Sequence, residues 1–294
     1  MFQKKISLSN VPKLSEFTSN DAPAPVRVTD VVTAPKVPVL FVADLHLTDK
    51  RPQTAAAFSE FLSGPVRQAG SVFILGDLFE YWVGDDDTGS AFNRSICEAL
   101  RATVNAGTAV YFMTGNRDLL AGQGFAHVSG VRLLADMVSV RFGTRTLLLS
   151  HGDALCTDDH EYQAFRLQVR NHEWQAGFLA QPLDARRKFI EKAREQSEAA
   201  KSGKRAEIMD VSADAVTNLL RSYTYPTLIH GHTHRPARHT YLIDGHHCER
   251  YVLPDWRDHA VWLAFDGSEF SVCSAQPPLP ASLTQTEEGS FVST

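Results

Sequence analysis

The chain has 294 residues, 43% of them hydrophobic and 21% charged, with a formal net charge of −5. It is long enough to bury a substantial core in one large or two small domains, and its acidic balance argues against a basic field aimed at nucleic acid. Four cysteines with no Cys-x-x-Cys pair argue against a disulfide framework and a structural zinc site, which makes a reducing cytosol the simplest compartment.

Residues 1–36 mix Ser, Thr, Asn, Pro and charges without period and lack the continuous apolar core of a secretory signal, so they read as a flexible extension. Val37 to Ala43 is a nearly unbroken apolar run, a buried strand that ends in Asp44-Leu45-His46. Thr54 to Arg67 has helical spacing, with Ala57, Phe58, Phe61 and Leu62 on one face. Ser71 to Leu75 is a second strand and stops at Gly76-Asp77. Ala91 to Asn105 reads as a helix stopped by Gly107. Thr108 to Met113 is a third strand, ending in Gly115-Asn116-Arg117-Asp118. This alternation has the spacing of βαβ units and predicts a largely parallel sheet covered by helices.

Val138 to Phe142 and Thr146 to Leu149 read as a hairpin whose second strand stops at His151-Gly152-Asp153. From Asp158 to about Lys204 the pattern is helical and lacks strands. That stretch sets Arg186, Arg187, Lys188, Lys192, Arg194, Lys201, Lys204 and Arg205 beside Trp174, Phe178, Leu179, Phe189 and Ile190, and reads as an inserted helical cap. Ala206 to Tyr223 is expected to be a helix returning to the sheet. Thr227-Leu228-Ile229 then leads a strand into His230-Gly231-His232-Thr233-His234. From Arg238 to Ser274 hairpins follow, turning at Asp244-Gly245 and Asp266-Gly267. The tail from Ala275 is Pro-, Ser- and Thr-rich and expected to be disordered. One domain over residues 37–274 is the organisation this predicts. No stretch reaches the ~18 apolar residues needed to span a bilayer, so a membrane would be met from one side.

Five apolar strands thus terminate in Asp44-x-His46, Gly76-Asp77, Gly115-Asn116, His151 and His232-x-His234. The carboxyl ends of strands in an open α/β sheet are where ligands bind, so tips far apart in sequence can converge. Two carboxylates, one amide oxygen and four imidazoles exceed one tetrahedral zinc and suit two octahedral ions sharing a carboxylate. Mixed oxygen and nitrogen donors favour manganese, iron or cobalt over calcium or magnesium.

Asp-x-His, Gly-Asp, Gly-Asn-x-Asp, His and Gly-His-x-His, in this order, resemble the calcineurin-like metallophosphoesterase superfamily over about Val37 to Val272. The resemblance implies an α/β fold, a four-layer α/β/β/α sandwich carrying the cap as an insertion. It implies that Asp44, His46, Asp77 and His234 hold one ion, and that Asp77, Asn116, His151 and His232 hold the other. Where many members have Gly-Asn-His-Asp, this chain has Arg117. A guanidinium grips phosphate oxygens bidentately but is a poor proton donor, which suits a diphosphate; the alternative is a surface arginine paired with Asp118.

The longer stretches Phe41 to Leu47, Ile74 to Glu80, His151 to Asp159 and Ile229 to Pro236, with Tyr162 to Phe165 and Ile208 to Val211, resemble the UDP-2,3-diacylglucosamine diphosphatase family of lipid A biosynthesis. That resemblance implies cleavage of UDP-2,3-diacylglucosamine to UMP and 2,3-diacylglucosamine 1-phosphate, with water attacking the uridine-linked phosphorus. It implies two Mn2+ per chain, catalytic roles for Asn116, Arg117 and His232, and a peripheral position on the inner leaflet at the cytoplasmic face of the inner membrane. It also carries substrate contacts onto Asn116, Arg117, Asp159, Tyr162, Ser197, Lys201, Lys204 and His232. The cap's aromatics and basic residues have the composition for seating acyl chains and touching anionic lipid. Neither nucleic acid nor a protein partner is expected. The alternatives are a phosphodiesterase or phosphatase acting on a soluble nucleotide or diester with the same metals, and a non-catalytic scaffold, which would have eroded metal positions.

Overall fold

The computed structural model describes residues 30–33, 36–201, 210–276 and 286–288. The apolar runs become strands β2 (Val39–Val42), β3 (Ser71–Leu75) and β4 (Ala109–Met113), parallel to one another and to β5 (Arg132–Leu134). A hairpin of β11 (Val261–Phe265) and β12 (Phe270–Ser274) joins antiparallel at the β2 edge, giving the order β12-β11-β2-β3-β4-β5. The other strands form a second, mixed sheet. Its order is β1 (Asp30–Thr33), β6 (Met137–Phe142), β7 (Arg145–Ser150), β8 (Thr227–His230), β10 (His246–Val252), β9 (Ala237–Ile243) and β13 (Thr286–Glu288). The single largely parallel sheet expected from βαβ spacing is therefore confined to β2 through β5. Local spacing reports which strands neighbour each other, but the alternate faces of each strand decide where a second sheet can stack.

Alternation along the strands builds the layers. Leu40, Val42, Val72, Ile74, Val110 and Phe112 face helices α1 (Pro52–Ser63), α2 (Ala91–Asn105) and α3 (Gln123–Ser129), whose Phe58, Phe61, Ile96, Leu100 and Phe125 close that core. The intervening residues Val39, Phe41, Phe73, Leu75 and Met113 meet Val138, Val140, Leu147, Leu149 and Ile229 between the sheets. On the far side, Leu148, Leu228 and Ile243 lie beneath Val216 and Leu220 of α7 (Ala213–Ser222). The result is the α/β/β/α sandwich that the resemblance implies.

The inserted helices are α4 (His160–Val169), α5 (His172–Leu179) and α6 (Leu183–Lys201). Trp174 and Phe178 stack at 5.0 Å, Phe178 meets Phe189 at 5.3 Å, and all three pack against the first core layer. Two of the basic cap residues expected to touch anionic lipid are committed inward. Arg186, nearly fully buried, donates to the Val83 carbonyl at 2.5 Å and pairs with Asp86, while Arg187 pairs with the buried Asp87.

Two helix boundaries move and two strands are added. The first helix ends at Ser63 because Gly64-Pro65 interrupts it, and Pro65–Gln68 is a separate 3-10 turn. The helix expected from Ala206 starts at Ala213, preceded by Ser212 in extended backbone, whose N–H donates to the Leu155 carbonyl at 2.8 Å. Asp30–Thr33 and Thr286–Glu288, read as extension and tail, form edge strands β1 and β13. Residues 1–29, 34–35, 202–209, 277–285 and 289–294 lie outside the described residues.

Candidate metal centre

The polar residues that follow β2, β3, β4, β7 and β8 meet at one end of the sandwich. Asp44, His46, Asp77 and His151 are buried there, Asn116 and His232 are half-buried, and His234 is exposed. Asp44, His46, Asp77, His232 and His234 all adopt left-handed backbone, with φ of 54°, 49°, 53°, 68° and 53°. Such conformations cost about 1–3 kcal/mol each in a non-glycine residue and persist only where the surroundings impose them. Backbone bonds between the loops do so here: Asp44 N–H donates to Gly76 O at 3.1 Å, His46 N–H to Asp77 O at 2.9 Å, and Gly231 N–H to His151 O at 2.9 Å. Gly231 has no side chain because a Cβ there would run into the Asp44 carboxylate and lie 2.6 Å from the Ala43 Cβ. Gly115 does the same against Asp77.

The donor atoms converge. His46 Nε2 is 3.2 Å from His234 Nε2 and 3.9 Å from Asp77 Oδ2, and His234 Nε2 is 3.4 Å from Asp44 Oδ1. On the other side His151 Nε2 lies 3.8 Å from Asp77 Oδ1 and 3.1 Å from Asn116 Oδ1, which is 3.0 Å from His232 Nδ1. The two Asp77 oxygens thus face opposite halves of the cluster. Two groups, Asp44–His46–His234 and Asp44–Asp77–His151, bring their ligand atoms within 4.8 Å of one another. His151 Nδ1 lies 2.8 Å from the Leu75 carbonyl and so carries the proton, leaving a lone pair on Nε2 aimed inward. Asp44 Oδ1 is buried with no hydrogen-bond partner. Lone pairs facing lone pairs at 3.1–3.2 Å and an orphaned carboxylate oxygen fit a bound cation.

The electrostatics point the same way. Burial, with Asp118 and Asp44 nearby, pushes the Asp77 carboxyl up to about 7 against the pull of His151. Burial would raise Asp44 too, but His234, 3.4 Å from its Oδ1, and the charge of His151 hold it below its ordinary value. Burial lowers His46 and His232 to about 3, so both stay neutral and ready to ligate. For His151 the burial cost is outweighed by Asp77 and Asp44, and for His234 by Asp44, so both imidazoles are raised. Without an ion, the site gathers protons to offset its carboxylates.

Residues 37–236 match the family model described as calcineurin-like phosphoesterase. The chain belongs to that family. Among similar curated proteins is UDP-2,3-diacylglucosamine hydrolase of Aromatoleum aromaticum, 52% identical over 78% of this chain and 93% of its own length. Proteins of the same name from Chromohalobacter salexigens and Klebsiella pneumoniae subsp. pneumoniae are 44% and 46% identical, over 76% and 74% of this chain and 90% of each relative. This phosphoesterase is a hydrolase that depends on divalent metal, and it sits in the branch whose members carry that name.

The phosphoesterase brings together all seven side chains singled out from the sequence as ligands. Arg117 is half-buried at the rim, and among the described residues its guanidinium has no hydrogen-bond or ion-pair partner. It is not paired with Asp118, which is fully buried and accepts the N–H groups of Asp77 (3.3 Å), Leu78 (2.7 Å), Phe79 (3.3 Å) and Gly115 (2.8 Å). Tyr162 lies beside the centre, its ring 5.6 Å from His232 and its hydroxyl donating to Asp153 at 3.1 Å. Asp159 caps α4 by accepting the Tyr162 N–H at 3.1 Å. Ser197 and Lys201 stand on α6 with side chains outside the described residues, and Lys204 lies wholly outside them.

Four supports escape the sequence reading. Asp118 ties the Asp77 loop to the Asn116 loop. His230, buried and kept neutral, donates from Nδ1 to Gly231 O at 2.9 Å and accepts from Arg250 at 3.0 Å, which fixes the turn before His232. Glu80 lies 3.7 Å from His46 Nδ1 and binds Arg51 at 2.8 Å. Arg170, on the cap, donates to Gly115 O at 3.3 Å and, with Arg166, holds the buried Asp153 well below the carboxylate range against its burial. Asp118, Glu80 and His230 lie inside motifs quoted from the sequence, but their supporting contacts do not show there.

Proposed function

We propose that this protein hydrolyses the diphosphate of UDP-2,3-diacylglucosamine to UMP and 2,3-diacylglucosamine 1-phosphate. The observation that carries the reading is the convergence of Asp44, His46, Asp77, Asn116, His151, His232 and His234 beside the unpaired Arg117. The names of relatives aligned over nine-tenths of their own length support the substrate.

Asp44, His46, Asp77 and His234 would hold one ion, and Asp77, Asn116, His151 and His232 the other, both manganese in this reading. Bound, such a pair supplies an activated water and neutralises phosphoryl oxygens. The chain's own residues do the rest. Asp77 offers one oxygen to each half, and the Leu75 carbonyl holds a His151 proton on Nδ1, which turns Nε2 inward as the ligating nitrogen. Arg117 is placed to grip the diphosphate and offset charge on the departing sugar phosphate, which needs no proton from it.

The cap faces the lipid. Phe165 (38% exposed), Leu167 (52%) and Leu179 (40%) are large apolar side chains left in solvent on α4 and α5. They suit acyl chains and the surface of the inner leaflet. No described helix is long and apolar enough to cross a membrane, so this contact is peripheral in our reading.

The test is UMP release from UDP-2,3-diacylglucosamine by metal-loaded protein with and without Mn2+. Manganese-dependent release is expected. Intact substrate beside efficient cleavage of a soluble diester would replace this reading with that of a soluble phosphodiesterase.

A further inference from the structure

The two sides of the centre differ. His232 lies against Tyr162 of the cap, and Asn116 next to Gly115, whose carbonyl accepts from Arg170 of the cap. His46, His234 and Arg117 instead open onto a cleft of about 390 Å³ walled by Thr48, Lys50, Arg51, Tyr81 and Asp255. Among the described residues, none of 158–204 lines it.

We propose that this cleft receives the nucleoside half of the substrate, as a nucleoside 5′-monophosphate. Its phosphate sits at Arg117 and the metal centre, and its ribose and base extend past Lys50 and Tyr81. This rests on the lipid-diphosphate reading and adds the direction in which the substrate lies.

Charge gives the first reason. Lys50 is exposed, and neither its ammonium nor the Arg117 guanidinium has an ion-pair partner among the described residues. Arg51, by contrast, is held by Glu80 at 2.8 Å and the His46 carbonyl at 2.6 Å, so it forms a fixed wall. Unpaired cations beside a metal site attract an anion, and phosphate oxygens satisfy them.

Size and polarity give the second. The volume is at the low end of the ~300–1,000 Å³ of small-molecule pockets, with room for a nucleoside and none for two long acyl chains. Thr48 and Asp255 offer oxygens to ribose hydroxyls and base N–H groups, walls that a hydrocarbon chain would desolvate at a loss. Half-buried Tyr81 supplies an aromatic ring for the base. With the apolar cap on one side and this cleft on the other, the bond to be broken lies over the metal ligands.

Calorimetric titration of the Mn-loaded, full-length protein with UMP and with inorganic phosphate tests this. Phosphate measures what the centre and Arg117 contribute alone. UMP is expected to bind at least tenfold more tightly than phosphate, and Lys50→Ala and Tyr81→Leu are each expected to erode that ratio severalfold. Equal affinities, or variants that leave the ratio unchanged, overturn the proposal. Because no lipid is used, a UMP preference that persists while UDP-2,3-diacylglucosamine stays uncleaved would sink the substrate reading and not the cleft.

Discussion

Asp118→Asn is the substitution that best separates support of the site from participation in it. The carboxylate spans two loops, with Oδ1 accepting from Asp77 and Gly115 at 3.3 and 2.8 Å and Oδ2 from Leu78 and Phe79 at 2.7 and 3.3 Å. Asparagine keeps the shape but turns one oxygen into a donor facing two donors. One short charge-assisted bond, at about 1.5–3 kcal/mol, and one long, weak one are lost, and the two buried backbone N–H groups that made them are left without an acceptor. The loss comes to about 3 kcal/mol. For a domain of this size 1 kcal/mol moves Tm by roughly 2–4 °C, so Tm is expected to fall by about 6–12 °C. Because the same carboxylate sets the spacing of Asp77 and Asn116, metal retention after dialysis should fall as well. Thermal unfolding with and without added Mn2+, paired with metal analysis, reads both effects. A Tm within about 2 °C of the parent with metal retention intact would show that Asp118 does not organise these loops.

Arg117→Ala is expected to lower kcat by about 10²–10³, the usual cost of removing one charge-stabilising donor, while metal content is preserved; loss of metal alongside activity would make Arg117 structural instead. Titration with Mn2+ in weakly buffered solution should release more protons at pH 6 than at pH 8. The sign follows from Asp77: its carboxyl, raised to about 7, still holds a proton at pH 6 that the ion must displace, and has lost it by pH 8. His46 and His232, at about 3, release none in that range, and equal release at the two pH values would refute the assignment. Arg187→Ala leaves the buried Asp87 carboxylate without its ion pair. Arg187 is itself 41% exposed, so the cost is discounted to about 1–2 kcal/mol, read as faster proteolysis of the cap with the sandwich intact.

The convergence of the seven side chains was legible because each follows an apolar run of strand length, and strand ends in such folds cluster. Gly231 and Gly115 are each required by a neighbouring carboxylate, since a Cβ there would strike Asp44 or Asp77. The supports were illegible for a shared reason: their partners are backbone groups or distant side chains. Asp118 beside Arg117 looks like an ion pair until its four N–H donors are seen. His230 reads as one more histidine of a His-rich loop, yet it is turned into the core toward Arg250. Arg186 and Arg187 read as part of the lipid-touching basic set of the cap, because Asp86 and Asp87, their partners, stand 100 residues earlier in the chain. The second sheet came from the resemblance alone, since hydrophobic alternation shows that both strand faces are covered but not by what.

Metal stoichiometry tests the central claim most directly. The purified protein, loaded with Mn2+ and dialysed, should retain about two ions per chain. His151→Ala and His46→Ala, on opposite halves of the cluster, should each bring that number to about one. Retention of a single ion by the parent, or of two ions by either variant, would contradict the account.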